Sequence, residues 1–192
     1  MKVKAEVRLE FTKKRMNFSE KEILEMSEQI INQIKESSII NHSYFHIFLP
    51  IIEKNEVNTF PLIDFLLYNK KKIAIPKIED NEIESYEFDF QTVLEKNKWN
   101  ILEPKYSNKT NNKDLEVVFI PLIICDFKGN RIGYGKGFYD KFLAKCSKSI
   151  LKIGLNFFEP ILEEIINEKH DITLDYLVTP SRIVSFLPKF EK

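Results

Sequence analysis

The chain has 192 residues, enough to bury a core in one domain and too few for two, so we expect a single domain over residues 1–192. Its 29 basic and 29 acidic residues balance, which argues against a nucleic-acid partner, because such proteins carry excess positive charge. The charged N-terminus lacks the apolar core of a signal peptide, and the longest apolar run, residues 117–125, is too short to cross a membrane. The two cysteines cannot form a disulfide framework, so we expect a cytoplasmic protein.

The first segment allows two interpretations. Apolar and charged residues alternate from Val3 to Phe11, which is the period of a half-exposed strand. Lys4 and Arg8 are four residues apart, and this spacing places them on one face of either a strand or a helix. The residues alone therefore leave the choice open and indicate only that the two basic side chains lie on the same face.

The next part of the chain predicts alternating helices and strands. Ser19 and Glu22 form a capping box ahead of apolar residues at helical spacing, and Thr59 is expected to cap a second helix, to about residue 68, with Pro61 in its first turn. We also predict strands over residues 44–49 and 72–75, an edge or hairpin strand over residues 84–90, and polar loop over residues 95–114. Strand, helix and strand in this order indicate a parallel crossover.

The C-terminal part continues the alternation. Residues 115–121 are mostly β-branched and aromatic and are bounded by polar loop, which is typical of a strand buried on both faces. Beyond it we predict a helix over residues 138–146, a strand over 152–157, a helix over 160–167, and short strands over 176–178 and 182–186. The elements together predict an α/β fold, a single-domain three-layer open sheet that is mostly parallel, with helices on both faces.

The segment RIGYGKGFYD, residues 131–140, holds three of the chain's five glycines and follows the buried strand in the sequence. Glycine tolerates positive φ and lets the backbone approach a phosphate closely, and a helix N-terminus favours an anion. Arg131 and Lys136 add positive charge, and Asp140 offers a hard oxygen ligand for Mg²⁺. The alternating glycines match neither the P-loop nor the dinucleotide fingerprint. The segment therefore predicts another kind of nucleotide-phosphate site, with a solvated strand-to-helix connection as the alternative.

FIPLIICDFKGNRIGYGKGFYDKFL, residues 119–143, resembles the signature of the 5-formyltetrahydrofolate cyclo-ligase family, also called methenyltetrahydrofolate synthetases. The resemblance extends over nearly the whole chain, through an early basic pair, Lys4 and Arg8, and through three segments, NEVNTFPLI (55–63), WNILEP (99–104) and HDITLDYLVTP (170–180). The chain departs from the family pattern in two places. Phe138–Tyr139 stands where two tyrosines are usual, and the loop before Glu56 is slightly longer.

The resemblance implies ATP- and Mg²⁺-dependent cyclisation of 5-formyltetrahydrofolate to 5,10-methenyltetrahydrofolate, with release of ADP and phosphate through a phosphorylated formyl group. It implies ATP contacts from Lys4, Arg8, Arg131, Gly133, Tyr134, Gly135, Lys136, Gly137, Phe138 and Tyr139. The folate contacts that it implies come from Arg8, Glu56, Trp99, Tyr134 and Phe138. Asp140 and Asp171 are implied as magnesium ligands, and Arg131 and Lys136 as the catalytic residues that neutralise developing charge. ATP and the folate are then the partners of a chain that we expect to be monomeric.

Each of these residues also has a structural interpretation. Lys4 and Arg8 could belong to a solvated face, Glu56 could complement a helix dipole, Trp99 could be a core residue, and Asp171 could be a turn residue. Two other functions also stay open. A folate- or nucleotide-binding protein without turnover would lack the metal carboxylate or the basic pair, and a phosphosugar isomerase-like enzyme would need a general base and no ATP. The three histidines show no metal-ligand spacing, so we assign them no chemistry.

Overall fold

The structure is a computed structural model that describes residues 3–188. The helices are α1 (Lys4–Met16), α2 (Glu20–Lys35), α3 (Phe60–Tyr68) and α4 (Phe138–Ala144). The strands are β1 (Tyr44–His46), β2 (Lys72–Glu79), β3 (Glu82–Phe88), β4 (Leu94–Lys96), β5 (Leu102–Pro104), β6 (Val117–Pro121), β7 (Ile124–Cys125), β8 (Arg131–Ile132), β9 (Leu151–Leu155), β10 (Tyr176–Val178) and β11 (Ile183–Ser185). Within residues 3–188, no helix is both long and apolar enough to cross a membrane.

One mixed sheet contains seven of these strands, in the order β11-β10-β9-β6-β1-β2-β3. The inner strands β10, β9, β6, β1 and β2 pair in parallel, and β11 and β3 add antiparallel edges. Strands β1 and β2 are parallel and α3 lies between them in the chain, which confirms the predicted crossover. The mostly parallel α/β sheet predicted from the sequence is confirmed.

Strand β6 shows how the sheet is covered on both faces. Val117 and Phe119 belong to an apolar cluster that includes residues of α2 and α3. Val118 and Ile120 belong to a second cluster, which includes Phe142 of α4. Successive side chains of a strand point to opposite faces, so each cluster packs one helical layer against the sheet. All four β6 side chains have 0% exposure, and complete burial stabilises the fold by about 1.5–3 kcal/mol for each large apolar side chain.

The N-terminal segment is a helix, so the strand that its alternation indicated is wrong. In α1, Val7 is buried and Phe11 packs against the same small apolar cluster, while Leu9 is 57% exposed. A strand would have placed Val7, Leu9 and Phe11 on one face. In the helix, Leu9 lies away from the other two and is exposed, so the alternation does not match the buried face. Lys4 and Arg8 lie one helical turn apart and face the same region, as their spacing predicts.

Residues 160–167 are irregular, and the predicted helix there is wrong. The backbone N–H of Ile161 donates to the carbonyl oxygen of Cys125, with an N–O distance of 2.9 Å. The N–H of Ile165 donates to the Asp126 carboxylate, also at 2.9 Å. In a helix, the Ile165 N–H would donate to the Ile161 carbonyl four residues back, while the Ile161 N–H would have no partner within the helix. Contacts with the loop after β7 therefore replace the helical hydrogen bonds.

The polar stretch 95–114, predicted as loop, contains most of a short hairpin formed by β4 and β5. Its turn depends on Asn97, whose side-chain oxygen accepts hydrogen bonds from the backbone N–H groups of Trp99 and Ile101. Asn100 in the same turn has φ +62°, a left-handed conformation that asparagine tolerates better than most residues. Strands this short and polar carry little hydrophobic alternation, so the sequence pattern does not reveal them.

Thr59 precedes α3 as predicted, but its side chain does not cap the helix. The Thr59 hydroxyl instead donates to the carbonyl oxygen of Phe48 at 2.7 Å. The Asn58 side chain accepts the hydrogen bond from the backbone N–H of Phe60. Thr59 therefore fastens the start of α3 to the segment that follows β1.

His46 is a core histidine that predicts an acid-sensitive fold. Its ring is fully buried 4.5 Å from the Phe142 ring, and neither ring nitrogen has a hydrogen-bond partner. Burial lowers the pKa of His46 from 6.5 to about 3. The unfolded chain therefore binds a proton at a higher pH than the folded protein does. As far as His46 determines it, the free energy of unfolding is therefore highest above pH 6.5 and decreases as the pH falls from there towards about 3.

We expect the His46→Phe variant to lose this contribution to the pH dependence. One proton corresponds to a slope of about 1.4 kcal/mol per pH unit in the free energy of unfolding. Urea unfolding at a series of pH values between 6.5 and 4 should show the wild type losing stability more steeply than the variant by this amount. Parallel curves for the two proteins would show that His46 does not cause acid destabilisation.

Candidate active site

The site lies where the strand order reverses. The chain runs from β1 to β2 on one side of the sheet, and from β6 to β9 and β10 on the other. Loops that leave neighbouring parallel strands in opposite directions create a crevice at their carboxyl ends. Phe48 and Leu49 after β1, and Pro121 at the end of β6, line a cavity of about 330 Å³ there. This volume is within the range of roughly 300–1,000 Å³ that small-molecule sites occupy.

Residues 131–140, which we call the glycine loop, all line this cavity. Gly135 and Gly137 have φ values of +87° and +64°, a conformation that residues with side chains rarely adopt. Gly137 immediately precedes α4. A Cβ atom at Gly135 would lie 3.4 Å from the Arg8 guanidinium carbon. Gly135 therefore allows both the backbone turn and the close approach of Arg8.

Three cations and two carboxylates form what we call the basic cluster: Lys4, Arg8, Arg131, Asp140 and Asp171. All of them line the cavity. Arg8 Nε donates to the carbonyl oxygen of Gly133 at 2.7 Å. The Lys4 ammonium contacts Asp171 at 2.5 Å, and the Arg131 guanidinium contacts Asp140 at 2.7 Å. The formal charges of these five residues sum to +1, and Glu168, which lines the same cavity 3.7 Å from Lys4, cancels this excess. The cluster therefore attracts an anion through donors that its own carboxylates leave without a partner.

Arg131 has bonding capacity that the protein does not use. Its side chain is 7% exposed, and its Nη1 atom is buried without a hydrogen-bond partner. Burial lowers the pKa of Arg131, and the neighbouring Asp140 carboxylate opposes this effect. A guanidinium still remains charged at neutral pH. A buried donor without a partner is unfavourable by about 1–3 kcal/mol, so an anion in the cavity would relieve this cost.

In each of the two carboxylates, Asp140 and Asp171, one oxygen accepts hydrogen bonds from protein donors, and the other oxygen could bind a cation. Asp140 Oδ1 accepts hydrogen bonds from Arg131 and from the backbone N–H of Ile172, and Asp171 Oδ2 accepts from Lys4 and the backbone N–H of Glu168. Burial raises the pKa of Asp171, but the hydrogen bonds from Lys4 and Glu168 and the charge of Arg131 outweigh it, so the pKa is lowered. Asp171 is therefore held in its ionised form.

The two carboxylates, Asp140 and Asp171, are the candidate magnesium ligands. Within residues 3–188, no group of three or more His, Cys, Asp or Glu side chains could hold a metal ion. Magnesium in nucleotide sites is usually held by one or two carboxylates together with phosphate oxygens and waters. Asp140 and Asp171 line one cavity, so they fit a magnesium ion that arrives with a phosphate ligand.

A second group of residues, which we call the Glu56 cluster, consists of Glu56, Tyr134, Arg15 and Lys54. Glu56 is 5% exposed, and the Tyr134 hydroxyl donates to its Oε1. The backbone N–H of Ile51 donates to Oε2 at 2.7 Å. Burial raises the pKa of Glu56, although Tyr134, Ile51, Arg15 and Lys54 all act in the opposite direction. In its ionised form, Glu56 is a hydrogen-bond acceptor that faces the cavity.

Two lysines lie over aromatic rings: Lys54, a member of the Glu56 cluster, and Lys136 of the glycine loop. Lys54 Nζ is 3.9 Å from the centroid of the Tyr134 ring, and burial lowers the pKa of this lysine against the opposing charge of Glu56. Lys136 Nζ is 5.0 Å from the Trp99 ring and 5.5 Å from the Phe138 ring. Such cation–π contacts contribute about 0.5–1 kcal/mol at exposed sites. Through Lys136, the β4–β5 hairpin turn contacts the glycine loop.

The structure brings the predicted site residues together around one cavity, with one exception. Trp99 is 39% exposed and lies beside Lys136, outside the cavity lining. Sequence reasoning missed Arg15, Lys54 and the buried cavity residue Glu103. The signal for Arg15 was its spacing, because it lies two helical turns after Arg8 on α1. Lys54 and Glu103 carried no comparable signal.

The fold and the cavity define a class of protein. The crevice lies at the switch point of an α/β sheet, which is where such folds bind ligands. It combines a basic cluster, in which Arg131 has a buried donor without a partner, with a buried carboxylate that accepts hydrogen bonds. These are the features of an α/β protein with a small-molecule site at the switch point of its sheet.

Comparisons with known proteins identify the family. Residues 1–180 match the model of the 5-formyltetrahydrofolate cyclo-ligase family. A Schizosaccharomyces pombe protein named "Probable 5-formyltetrahydrofolate cyclo-ligase" is 33% identical over 68% of this chain and 72% of its own length. The Mycoplasma genitalium 5-formyltetrahydrofolate cyclo-ligase is 33% identical over 69% of each chain. The chain belongs to the 5-formyltetrahydrofolate cyclo-ligase family, so the resemblance found in the sequence is confirmed.

A solved structure agrees with this assignment. The NMR structure of Aquifex aeolicus 5,10-methenyltetrahydrofolate synthetase superposes with a TM-score of 0.86 and 29% sequence identity. The match covers 98% of this chain and 95% of the Aquifex chain. This chain therefore has the same fold as an enzyme of this name.

Proposed function

We propose that the chain uses ATP and Mg²⁺ to convert 5-formyltetrahydrofolate to 5,10-methenyltetrahydrofolate, with release of ADP and phosphate. The observation that carries the proposal is that one loop serves both clusters. Through Arg131 and Asp140 the glycine loop contributes to the basic cluster, and through Tyr134 it contributes to the Glu56 cluster. A ligase of this kind must hold a triphosphate and a folate together, and one cavity with both kinds of site supports that task.

ATP would bind at the basic cluster. Lys4, Arg8 and Arg131 supply the positive charge, and the unpartnered Nη1 of Arg131 supplies a buried donor. The glycine loop lets phosphates approach its backbone closely. Lys136 lies on the same loop, so a small movement away from Trp99 would add its charge to the γ-phosphate. We therefore assign Arg131 and Lys136 as the residues that neutralise charge in the transition state.

The folate would bind at the Glu56 cluster. A pterin ring presents N–H donors along one edge, and the Glu56 carboxylate is an acceptor held by Tyr134 and Ile51. The apolar wall formed by Ile78, Ile83 and Phe138 would contact the ring faces. Trp99 would contact the substrate only if its hairpin turn moved over the cavity.

The reaction proceeds in two steps on the substrates. The formyl oxygen attacks the γ-phosphorus of ATP and ADP leaves, which makes the formyl carbon a strong electrophile. The 10-nitrogen then attacks this carbon and loses its proton, and the former formyl oxygen leaves in phosphate. The protein contributes placement and charge neutralisation, so no covalent nucleophile is needed. The two thiols are poor nucleophiles, because burial raises the pKa of both, that of Cys146 to about 12.

Asp140 and Asp171 would hold the magnesium ion that accompanies ATP. When bound, the ion supplies charge neutralisation on the phosphate oxygens. The chain's own part is to keep these carboxylates ionised and in place through Arg131, Lys4 and the backbone N–H groups of Glu168 and Ile172.

We infer one cyclo-ligase domain over residues 1–192 that acts as a monomer. The free thiols Cys125 and Cys146 suit a reducing compartment, which supports a cytoplasmic location.

Ultraviolet spectroscopy tests the proposed function directly. The purified protein should form the methenyl chromophore from 5-formyltetrahydrofolate only when ATP and Mg²⁺ are both present. ADP and phosphate should appear in equal amounts with the product. Binding of both substrates without any product would instead indicate a binding protein, and ATP-independent chemistry would contradict the cyclo-ligase mechanism.

The Gly135→Val variant should lose ATP affinity by at least about tenfold, a difference of about 1.4 kcal/mol. A β-branched side chain opposes φ +87° and presses on the Arg8 guanidinium. The strain should also lower the free energy of unfolding by about 1–2 kcal/mol. Calorimetric ATP titration and urea unfolding measure the two effects separately.

Gly129→Ala is the matched control, because Gly129 has φ +80° but lies outside the cavity lining. A Cβ atom there would lie 2.9 Å from the carbonyl oxygen of Leu174. This variant should lose stability and keep the ATP affinity of the wild type. If both glycine variants lose stability and keep ATP affinity, then the glycine loop is only a structural connection.

A further inference from the structure

Arg15 is a buried arginine that stands behind the Glu56 cluster. It is 3% exposed, in the last turn of α1, and it does not line the cavity. Its Nη1 donates to the carbonyl oxygen of Leu122 at 3.2 Å, and its Nη2 donates to the Tyr134 hydroxyl oxygen at 2.7 Å. Its positive charge acts on Glu56, which lies on the far side of the Tyr134 hydroxyl and whose pKa it lowers.

Arg15, Tyr134 and Glu56 form a row of hydrogen bonds, and each bond in it has only one possible direction. A guanidinium can only donate, so the Tyr134 oxygen must accept from Arg15. A phenol has one proton, and with its oxygen occupied by Arg15 this proton is directed to Glu56 Oε1. The other Glu56 oxygen accepts from the backbone N–H of Ile51. The row therefore runs from Arg15 through Tyr134 to Glu56 and ends in a carboxylate that can only accept.

We propose that Arg15 is a positioning residue for the folate: it fixes the direction of the Tyr134 hydroxyl and so keeps Glu56 an ionised acceptor for the N–H donors of the pterin. This inference rests on the proposed function. Without Arg15, the Tyr134 hydroxyl could rotate, and Glu56 would take up a proton more readily in its buried position. A protonated Glu56 presents a donor where the pterin also presents donors, which weakens binding.

The groups that act on the Glu56 charge come from several elements. Arg15 belongs to α1, Lys54 lies two residues before Glu56, and Tyr134 lies on the glycine loop. Tyr139 of α4 also interacts with the Glu56 charge. Lys54 remains when Arg15 is replaced, so the effect of Arg15 on Glu56 should be partial.

The experiment measures the affinity of 5-formyltetrahydrofolate by calorimetric titration without ATP, and that of ATP separately. Arg15→Met removes the charge and keeps the aliphatic stem, and Arg15→Gln keeps an N–H donor and removes the charge. Both variants should bind 5-formyltetrahydrofolate about ten- to a hundred-fold more weakly, the range for a hydrogen bond to a charged group. Arg15→Lys should restore most of this affinity. ATP affinity should stay within about twofold of the wild type, because Arg15 lies outside the cavity lining.

Two further readouts separate positioning from a merely structural role. Folate affinity should fall as the pH drops through the Glu56 pKa, and this loss should begin at a higher pH in Arg15→Gln than in the wild type. In a double-mutant cycle, adding Tyr134→Phe to Arg15→Met should weaken binding little more than Tyr134→Phe alone, because Arg15 acts through that hydroxyl. The control is Lys14→Met on the same helix, where Lys14 pairs with Glu10 at the surface.

The outcomes distinguish this inference from the proposed function. If the wild type does not bind 5-formyltetrahydrofolate, the proposed function fails and the inference fails with it. If the wild type binds it and a folded Arg15→Met or Arg15→Gln variant binds it equally well, the inference alone is wrong. Equal weakening of ATP and folate would also overturn it, since that result indicates a general disturbance of the fold.

Discussion

Replacing Arg131 with methionine should lower kcat by about 100- to 1,000-fold, the loss found when one preorganised donor is removed from a transition state. The guanidinium has a buried Nη1 atom without a partner beside the cavity, while its Nη2 atom contacts Asp140 at 2.7 Å. The unpartnered Nη1 is the donor that we assign to a phosphate. Methionine removes both atoms, so this variant should also lose stability, because the Asp140 carboxylate loses its charged partner and keeps the hydrogen bond from Ile172.

Arg131→Lys separates the two effects. A lysine keeps one positive charge and can pair with Asp140, but it cannot also present the second arm of a planar fork. We expect this variant to unfold at nearly the wild-type urea concentration and still lose most of the kcat. Steady-state kinetics of methenyl formation, together with urea unfolding, would check both parts.

Arg182→Met provides the matched control, because Arg182 also pairs with a carboxylate, that of Glu159 at 2.8 Å. Arg182 lies outside the cavity lining, so its loss should leave kcat unchanged. Wild-type turnover by Arg131→Lys would show that Arg131 only supports Asp140 and the fold.

The sequence predicted most reliably the features that depend on nearby residues. The Ser19–Glu22 capping box is present at the start of α2, and both of its hydrogen bonds are formed. The alternating environments of β6 follow from its unbroken apolar run. The glycine loop was found because its residue types and spacing lie within ten residues of one another. In each case the interacting groups are close in sequence, so the pattern contains most of the information.

Features that depend on distant partners were missed. The helix expected over residues 160–167 does not form: the Ile165 N–H donates to Asp126 instead of a helical carbonyl, and the Ile161 N–H donates to Cys125. Arg15 reaches the site only through Tyr134, which lies 119 residues further along the chain. A single sequence does not show which distant groups a donor meets, so these parts of the fold and site needed coordinates. The resemblance to a family supplied Glu56 and Asp171, whose residue types alone left their roles open.

The Asp140→Asn variant should lose about 100-fold or more in activity, because it withdraws a negative charge from the proposed magnesium and ATP site. The change is nearly isosteric. Asp140 Oδ1 accepts hydrogen bonds from Arg131 at 2.7 Å and from the backbone N–H of Ile172 at 3.0 Å. An asparagine oxygen can accept both bonds, so we expect the fold and the position of α4 to be kept.

Magnesium dependence gives the sharper readout. If Asp140 binds the ion, the concentration of free Mg²⁺ that gives half-maximal activity should rise, and excess Mg²⁺ should recover part of the loss. A readout without turnover is the stabilisation of the protein by ATP. ATP with Mg²⁺ should raise the Tm of the wild type more than ATP alone does, and this difference should shrink in Asp140→Asn.

Asp175→Asn is the control that removes a carboxylate of similar surroundings outside the cavity lining. Asp175 Oδ2 accepts from the backbone N–H of Lys152 at 2.8 Å and contacts the Lys152 ammonium at 2.7 Å. Its replacement should cost stability without changing the magnesium dependence, because it ties β9 to the segment before β10. If Asp140→Asn turns over normally at limiting magnesium, then Asp140 only holds Arg131 in place. Asp171 is then the next carboxylate to test, because its lowered pKa keeps it ionised in the same cavity.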